Sequence, residues 1–455
     1  MLAFGVQRGT KTFEVSGFGP RHTNNNALCQ QPVDTAVRSW GILSMSNNST
    51  SRVWALVVGG TTLGYGLAAQ ADFIADSKAE LEARNFYFNR DFRQTDARDK
   101  AEEWAQGFLL RLQSGYTAGT LGLGVDALGM VGVKLDSGSG TAGTGLLPAD
   151  LSSGGSQDNY AKLGLTAKAR ISKSELKVGS LLFRSPMVSA NDTRLLPQTF
   201  RGALLTSQEL TDVKFTAGHI DRIKANSSSD FTELSGNRIG GTSNEFNFGG
   251  GDYQITPQLA LSAHYAQLEN VYRQAYGALV HVLPLSAGQS FKSDVRYSSS
   301  REDGAFRALD NRAFGSMFTY RLNAHAFGAG YQRMSGDDPF PYIAGSDPYL
   351  VNFIQIGDFA NTDERSWQVR YDYDFTALGM PGLTFMTRYV SGDNVQRAAG
   401  GEGKEWERNT DVGYVLQSGA LKNLGVKWRN ATVRSNFGND LDENRLIVSY
   451  TLPLW

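Results

Sequence analysis

Apolar and polar residues alternate with a period of two along the chain from about residue 81 onward. In the run 160–171, Leu163 and Leu165 belong to the apolar parity, while Lys162 and Lys168 belong to the other. Successive side chains of a β-strand point to opposite faces, so each run predicts a strand with one apolar and one polar face.

About eighteen runs of this kind follow one another. They lie near 81–90, 104–115, 120–136, 159–173, 175–184, 203–210, 212–224, 245–255, 258–269, 272–282, 290–299, 312–322, 325–334, 365–376, 382–391, 407–418, 420–434 and 443–454. Turn-like segments such as 172–174 and 256–257 alternate with the long segments 185–202, 335–364 and 392–406, which are rich in Gly, Pro, Asp and Asn. This alternation is typical of a barrel with tight turns at one rim and long loops at the other.

Two all-β folds fit such runs, a transmembrane barrel and a soluble sandwich. The sandwich would have to bury a very large two-sheet core without a disulfide. Runs of about ten residues match the length of a tilted strand that crosses a bilayer. An open sheet edge in hydrocarbon would leave backbone groups unpaired. We therefore predict a closed transmembrane antiparallel β-barrel of about eighteen strands around an aqueous lumen.

The composition supports this interpretation. Glycine accounts for 51 of 455 residues, aromatic residues for 11% and charged residues for only 20%. Glycine and aromatic residues together favour strands and turns over helices. The 44 basic residues balance 45 acidic ones, which argues against nucleic acid as a partner and means that charge selectivity must be local.

The amino-terminal region has the order of a secretory signal. Arg52 precedes the apolar stretch 53–67, and the small-residue motif Ala69-Gln70-Ala71 follows it. A basic residue, an apolar core and an A-x-A cleavage motif together predict a signal peptide over 45–71.

The signal divides the chain into three parts. Residues 1–44 are interpreted as an upstream extension or a misassigned start, and 72–455 as a single β-barrel domain. The one cysteine, Cys29, lies in the first part. The exported chain would then contain neither a disulfide nor a thiol catalyst.

The sequence shows few features of an enzyme active site. The four histidines of the exported chain each stand alone in their runs, without the spacing of metal ligands: His219, His264, His281 and His325. We predict no catalytic residue, no metal site and no cofactor. Two alternatives are an outer-membrane lipid esterase, which the absence of a G-x-S-x-G motif disfavours, and a structural or adhesion barrel with a plugged lumen.

Several peptides spread in order over the exported chain carry a resemblance to a known family. They are Arg84-Asn-Phe-Tyr-Phe-Asn-Arg90, Trp104-Ala-Gln-Gly-Phe108, Gly122-Leu-Gly-Val-Asp-Ala-Leu-Gly129, Arg194-Leu-Leu-Pro-Gln-Thr199, Tyr272-Arg-Gln274, Gly336-Asp-Asp-Pro-Phe340, Pro381-Gly-Leu-Thr-Phe-Met386 and Arg445-Leu-Ile-Val448. The chain resembles the OprD family of Gram-negative outer-membrane porins, the outer membrane carboxylate channels. The resemblance implies an integral outer-membrane barrel of eighteen strands whose third extracellular loop folds into the lumen. It also implies selective uptake of small carboxylates, nearer to the subfamily for aromatic or cyclic ones.

Strand parity predicts where four basic side chains point. Arg388, Lys427, Arg429 and Arg445 alternate with apolar neighbours, so they should face the lumen. A lipid-facing base at the membrane midplane would cost about 2–4 kcal/mol. A row of such groups can replace the hydration of a carboxylate with charge-assisted hydrogen bonds. For each base taken alone, a solvated wall residue is the alternative.

The resemblance adds further site residues. Arg90 and Arg194 would extend the basic ladder of the pore. The constriction loop would include Asn191, Asp192, Arg194 and Arg201. Asp337, Asp338 and Asp347 would form an acidic side of the pore, although ordinary turn chemistry explains them equally well.

Three classes of partner follow from these expectations. They are small carboxylate substrates, outer-membrane lipid and the barrel assembly machinery. Nothing in the sequence separates a monomer from a homotrimer.

Overall fold

The computed structural model describes residues 73–93, 99–150, 152–397 and 400–455. The interpreted extension 1–44 and the signal 45–71 lie outside the described residues. Eighteen long strands, labelled β1 to β18 in chain order, are Lys78–Phe92, Lys100–Gln113, Gly122–Asp136, Asn159–Ile171, Ser174–Leu181, Thr199–Ser207, Val213–Lys224, Phe246–Thr256, Leu259–Leu268, Tyr272–Ser286, Gln289–Glu302, Asp310–Leu322, His325–Ser335, Arg365–Asp374, Leu383–Gln396, Glu402–Val415, Gly425–Ser435 and Leu441–Pro453.

Every long strand pairs antiparallel with its neighbours in sequence, and β1 pairs with β18 to close the sheet. The closing register places Phe88 opposite Arg445. The predicted closed barrel of eighteen strands is confirmed, and the sandwich alternative is wrong because two packed sheets would leave β1 and β18 unpaired.

The other regular elements are small. Ala149–Asp150 pairs with Gly155–Ser156, and Leu234–Ser235 pairs with Thr242–Ser243. A single 3-10 turn, Phe375–Leu378, connects β14 to β15. Among the described residues, no helix is both long and apolar enough to cross a membrane.

The two faces of the barrel wall differ as the alternation predicts. On β4, Leu163 and Leu165 are 69% and 60% exposed, whereas the inward Lys162 and Lys168 are buried. Large apolar side chains are exposed on the outer face of strands all around the barrel. Such an exterior is stable only against hydrocarbon, because water would solvate it poorly.

Short turns join the strands at one rim, and most connections at the other rim, here called the long-loop rim, are longer. Three of these loops, 137–158, 182–198 and 336–364, place buried apolar residues inside the barrel. Leu146 and Leu195, for example, are fully buried beside inward residues of β1. The resemblance implied one inserted loop, and the structure shows that loop together with two more.

Backbone hydrogen bonds join the inserted loops to one another. The Asp347 amide donates to the Ser189 carbonyl at 3.0 Å, and the Ala344 amide donates to the Ser235 carbonyl at 2.8 Å. Loop 336–364 therefore contacts both 182–198 and the segment 225–245. These bonds satisfy backbone groups that would otherwise be buried without partners inside the lumen.

Arg84 of β1 fastens loop 182–198 to the wall. Its buried guanidinium donates to Asp192 at 2.7 Å and to the Arg194 carbonyl at 3.0 Å. The same group pairs with Glu82 at 2.8 Å, and Arg111 pairs with the other oxygen of Glu82 at 2.9 Å. One side chain thus couples the position of the loop to the sheet.

Replacing Arg84 by Met should release loop 182–198 from β1, because both the ion pair and the carbonyl contact are lost. We expect larger and noisier single-channel conductance in planar bilayers, with unchanged heat-modifiable migration of the folded barrel. Arg111→Met is the matched control, since Arg111 shares Glu82 but has no contact with the loop among the described residues. Equal conductance changes in the two variants would contradict this role of Arg84.

Candidate functional site

Basic side chains line one side of the lumen. Apart from Arg84, which holds loop 182–198, six stand on the inner face of β14, β15, β17, β18 and β1, and a seventh comes from loop 182–198. This set, the cation row, consists of Arg370, Arg388, Lys427, Arg429, Arg445, Arg90 and Arg194.

The strand register brings members of the cation row side by side. Arg370 on β14 lies directly opposite Arg388 on β15. Arg429 on β17 lies directly opposite Arg445 on β18. Like charges that face each other across a strand pair are destabilising, so the fold keeps this row at a cost in stability.

Asp411 on β16 lies between two of the bases. Its carboxylate is 3.2 Å from the Lys427 ammonium and 3.0 Å from Nε of Arg429. Asp411 and Arg429 are both buried, while the Lys427 side chain keeps 34% of its surface exposed. Lys427 is therefore the member of this group that a solute in the lumen meets first.

Glu443 on β18 gathers a second group. Its buried carboxylate pairs with Arg90 at 2.7 Å and with Arg445 at 2.6 Å. It also accepts a hydrogen bond from the Gln355 amide of loop 336–364 at 2.9 Å. A buried carboxylate between two guanidinium groups fixes both of them in place.

The aromatic ring of Phe88 lies close to three guanidinium groups. The centre of its ring lies 4.5 Å from the Arg445 guanidinium, 5.3 Å from that of Arg90 and 5.4 Å from that of Arg194. Cations are attracted to the face of an aromatic ring. Burial, and then the nearby charge of Arg445, lower the pKa of the Arg194 guanidinium to about 9.

Arg388 is the least compensated member of the row. It is buried, and its Nε donates to the side-chain oxygen of Asn409 at 2.6 Å. Its Nη2 atom has no hydrogen-bond partner among the described residues. The nearby Glu407 carboxylate is engaged by the backbone amides of Ile356 and Gly357.

Two inserted loops meet at Arg445. One terminal nitrogen of its guanidinium donates to the Thr193 carbonyl at 3.3 Å and the other to the Gln355 carbonyl at 3.4 Å. Only 1% of Arg445 is exposed. Arg445 therefore contributes its charge to the lumen while it holds loops 182–198 and 336–364 together.

Residues predicted for the constriction loop fall into two groups. Asn191 and Asp192 lie in loop 182–198, where Asn191 accepts from Thr193 and Asp192 pairs with Arg84. Arg201 is different, because it stands on β6 next to the inward Phe200 and pairs with Asp221 on the outer face. The expectation that Arg201 belongs to the constriction is wrong, since the strand begins at residue 199 and its parity turns this side chain outward.

The three predicted acidic residues do not form one acidic wall. Asp337 is exposed where loop 336–364 leaves β13. Asp338 is buried against Arg307 of a neighbouring loop. The Asp347 carboxylate accepts from the Tyr349 amide at 2.8 Å, and burial raises its pKa. Asp338 and Asp347 thus serve ion pairing and turn formation, which is the alternative that the sequence left open.

Sequence reasoning missed Arg370, Asp411 and Glu443. The signal for Arg370 is present, because it alternates with the outward aromatic residues Trp367 to Tyr373. The two acidic residues share the inward parity of the bases that they pair with. Their importance appears only once the register places them between bases on adjacent strands.

The seven bases of the cation row, with the carboxylates of Asp372, Glu407, Asp411 and Glu443 beside them, therefore lie along one side of a closed, loop-narrowed barrel. Over residues 71–454 the chain matches the family model described as outer membrane porin, OprD family. The chain belongs to the OprD family. Members of this family are substrate-specific porins, so this porin is an integral protein of the Gram-negative outer membrane and not an enzyme.

Individual relatives of this OprD-family porin agree with the fold. The porin-like protein GalP of Pseudomonas putida is 41% identical over 389 residues, which cover 84% of this chain and 93% of that protein. The crystal structure of OpdO from Pseudomonas aeruginosa is 65% identical, covers 85% of this chain and all of that one, and has a TM-score of 0.78. The structure of Pseudomonas aeruginosa OpdK with vanillate is 42% identical, covers 84% of this chain and all of that one, and has a TM-score of 0.80.

Replacing Asp411 by Asn should make the porin more selective for anions, because Lys427 and Arg429 lose their shared negative partner while a similar shape remains. We expect the anion-to-cation permeability ratio to rise by about two- to fivefold. The reversal potential across a potassium chloride gradient measures this ratio. Asp221→Asn on the outer face is the control, and an unchanged ratio for Asp411→Asn would contradict the assignment.

Proposed function

We propose that this porin conducts small carboxylates along the cation row. The observation that carries the proposal is the row of seven bases on one side of a narrowed lumen, in which Lys427 and Arg90 keep part of their side chains exposed. An anion that enters a constriction loses part of its hydration, and fixed positive charge offsets that loss.

The row has two kinds of members with different tasks. Lys427 and Arg90 keep part of their side chains exposed and can contact a carboxylate directly. Arg388 and Arg445 are buried, so they act through the electrostatic field. Charged groups in walls of low dielectric focus that field into the lumen.

Closely spaced bases favour passage over trapping. Five of the seven bases pair with a carboxylate, as Lys427 and Arg429 do with Asp411. When neighbouring sites bind weakly and lie one strand apart, an ion can pass from one site to the next without being trapped. The carboxylates therefore set how strongly each site binds an anion.

An aromatic carboxylate is the substrate class that we propose. The relative OpdK was crystallised with vanillate, a benzoate, and is 42% identical to this chain. Loop 336–364 also presents Tyr349, whose ring lies against Tyr276 and 4.4 Å from the Arg296 guanidinium. Tyr349 has a positive φ of 58°, a conformation that bulky residues rarely adopt. Aromatic rings inside the barrel can stack on a flat substrate.

Replacing Lys427, Arg429 and Arg445 together by Gln should reduce benzoate uptake into proteoliposomes by at least about tenfold. Even at the dielectric of water, each base close to the anion contributes about 1 kcal/mol. Radiolabelled benzoate provides the measurement, and heat-modifiable migration shows that the barrel has folded.

The neutralised triple variant leaves Asp411 and Glu443 buried without their main partners, which can destabilise the wall. A second variant therefore adds Asp411→Asn and Glu443→Gln to the same three changes. The control triple Arg93→Gln, Arg201→Gln and Arg434→Gln removes bases that pair with carboxylates on the outer face or at its rim. Wild-type uptake in both folded row variants would refute the proposal.

A further inference from the structure

Five arginines stand in an unbroken row on the outer face of β10 to β14, close to the long-loop rim. All five are exposed and share the parity of the outward apolar residues on their strands. This set, the rim arginine row, consists of Arg273, Arg301, Arg312, Arg333 and Arg365.

The strand register makes the row continuous. Arg273 lies directly opposite Arg301, and Arg333 lies directly opposite Arg365. Arg312 is two residues from the direct partner of Arg301 on one side, and its own direct partner is two residues from Arg333 on the other. Side chains in these direct and diagonal positions are about 5 Å and about 7–8 Å apart.

Few carboxylates compensate the rim arginine row. Arg312 contacts Asp310 and Arg365 contacts Asp393, each through one contact of 3.2 Å. For the other three arginines, the described residues provide no ion-pair partner. Asp310 lies directly opposite Arg301, and Glu302 follows Arg301 at the end of β11, where its side chain accepts a hydrogen bond from the Leu309 amide at 3.4 Å.

Outward arginines elsewhere near this rim are paired differently. Arg434 and Arg93 share Asp442 at 3.0 and 2.5 Å. Arg201 makes a two-pronged contact with Asp221. Of the two directly opposed pairs, Arg273 and Arg301 have no ion pair among the described residues, and Arg333 and Arg365 have only the contact with Asp393. Such pairs destabilise a sheet unless an anion lies over them.

An aromatic layer lies immediately below the row, toward the short-turn rim. Phe314, Tyr331 and Trp367 are each two residues from an arginine of the row and are 39–48% exposed on the same outer face. Aromatic girdles mark the level where hydrocarbon meets the polar headgroups. The arginines therefore lie at headgroup level on the side of the long loops, which is the extracellular side in outer-membrane barrels.

We propose that the rim arginine row binds the phosphate groups of an anionic lipid of the outer leaflet. A guanidinium matches a phosphate in charge and in bidentate geometry. The ligand must also be amphiphilic, because its apolar part would lie on the aromatic layer next to the arginines. A lipid meets both conditions at once. The site is on the outside of the barrel, so it is separate from the lumen and from the cation row.

The test compares two triple variants of the full-length porin in detergent, titrated with diphosphoryl lipid A and followed by native mass spectrometry. The first variant combines Arg273→Gln, Arg301→Gln and Arg333→Gln, the three arginines without ion-pair partners. We expect its affinity for the lipid to fall about a hundredfold, about fivefold for each arginine. The second is the control triple Arg93→Gln, Arg201→Gln and Arg434→Gln, which should change the affinity much less.

A dephosphorylated form of the same lipid separates phosphate recognition from binding of the acyl chains. Wild-type porin should bind it as weakly as the first variant binds diphosphoryl lipid A. Unchanged single-channel conductance shows that the variants have folded with an intact lumen. Equal losses in the two triple variants, or equal affinity of the wild type for the two lipids, would overturn the proposal.

Discussion

The pairing of β1 with β18 is the interaction on which the rest of the structure depends. In hydrocarbon, an unpaired backbone amide or carbonyl costs several kcal/mol, so the sheet is stable there only if it has no edge. The closing register runs along almost the full length of both strands, from Glu80 opposite Pro453 to Phe92 opposite Leu441. Closure then forces alternate side chains outward into lipid and inward into the lumen.

Closure also places the charges. Because every second residue faces a confined aqueous space, bases on adjacent strands such as Arg429 and Arg445 become direct neighbours. The same rule places Asp411 opposite Arg429 and Glu443 opposite Arg90. Loops that fold inward fill the remaining space and use the same charges as anchors, as Arg84 and Arg445 show. The cation row and the attachment of the loops are therefore one network.

Much of this could be predicted from the period of two. It locates the strands to within about five residues, and it gives the inward parity of residues such as Arg388 and Lys427. It fails where a strand begins or ends, which is why Arg201, expected in the constriction loop, instead stands on β6 and faces outward. It also fails for partners that only the register brings together, such as Asp338 with Arg307 or Arg273 with Arg301.

The central claim is that carboxylates carry current through the lumen beside the cation row. The most direct test is the reversal potential of single channels across a gradient of potassium benzoate. The account predicts that benzoate is more permeable than potassium, so the reversal potential has the sign expected when benzoate carries most of the current. A reversal potential at the potassium equilibrium value would contradict the account, because it would show that benzoate does not pass.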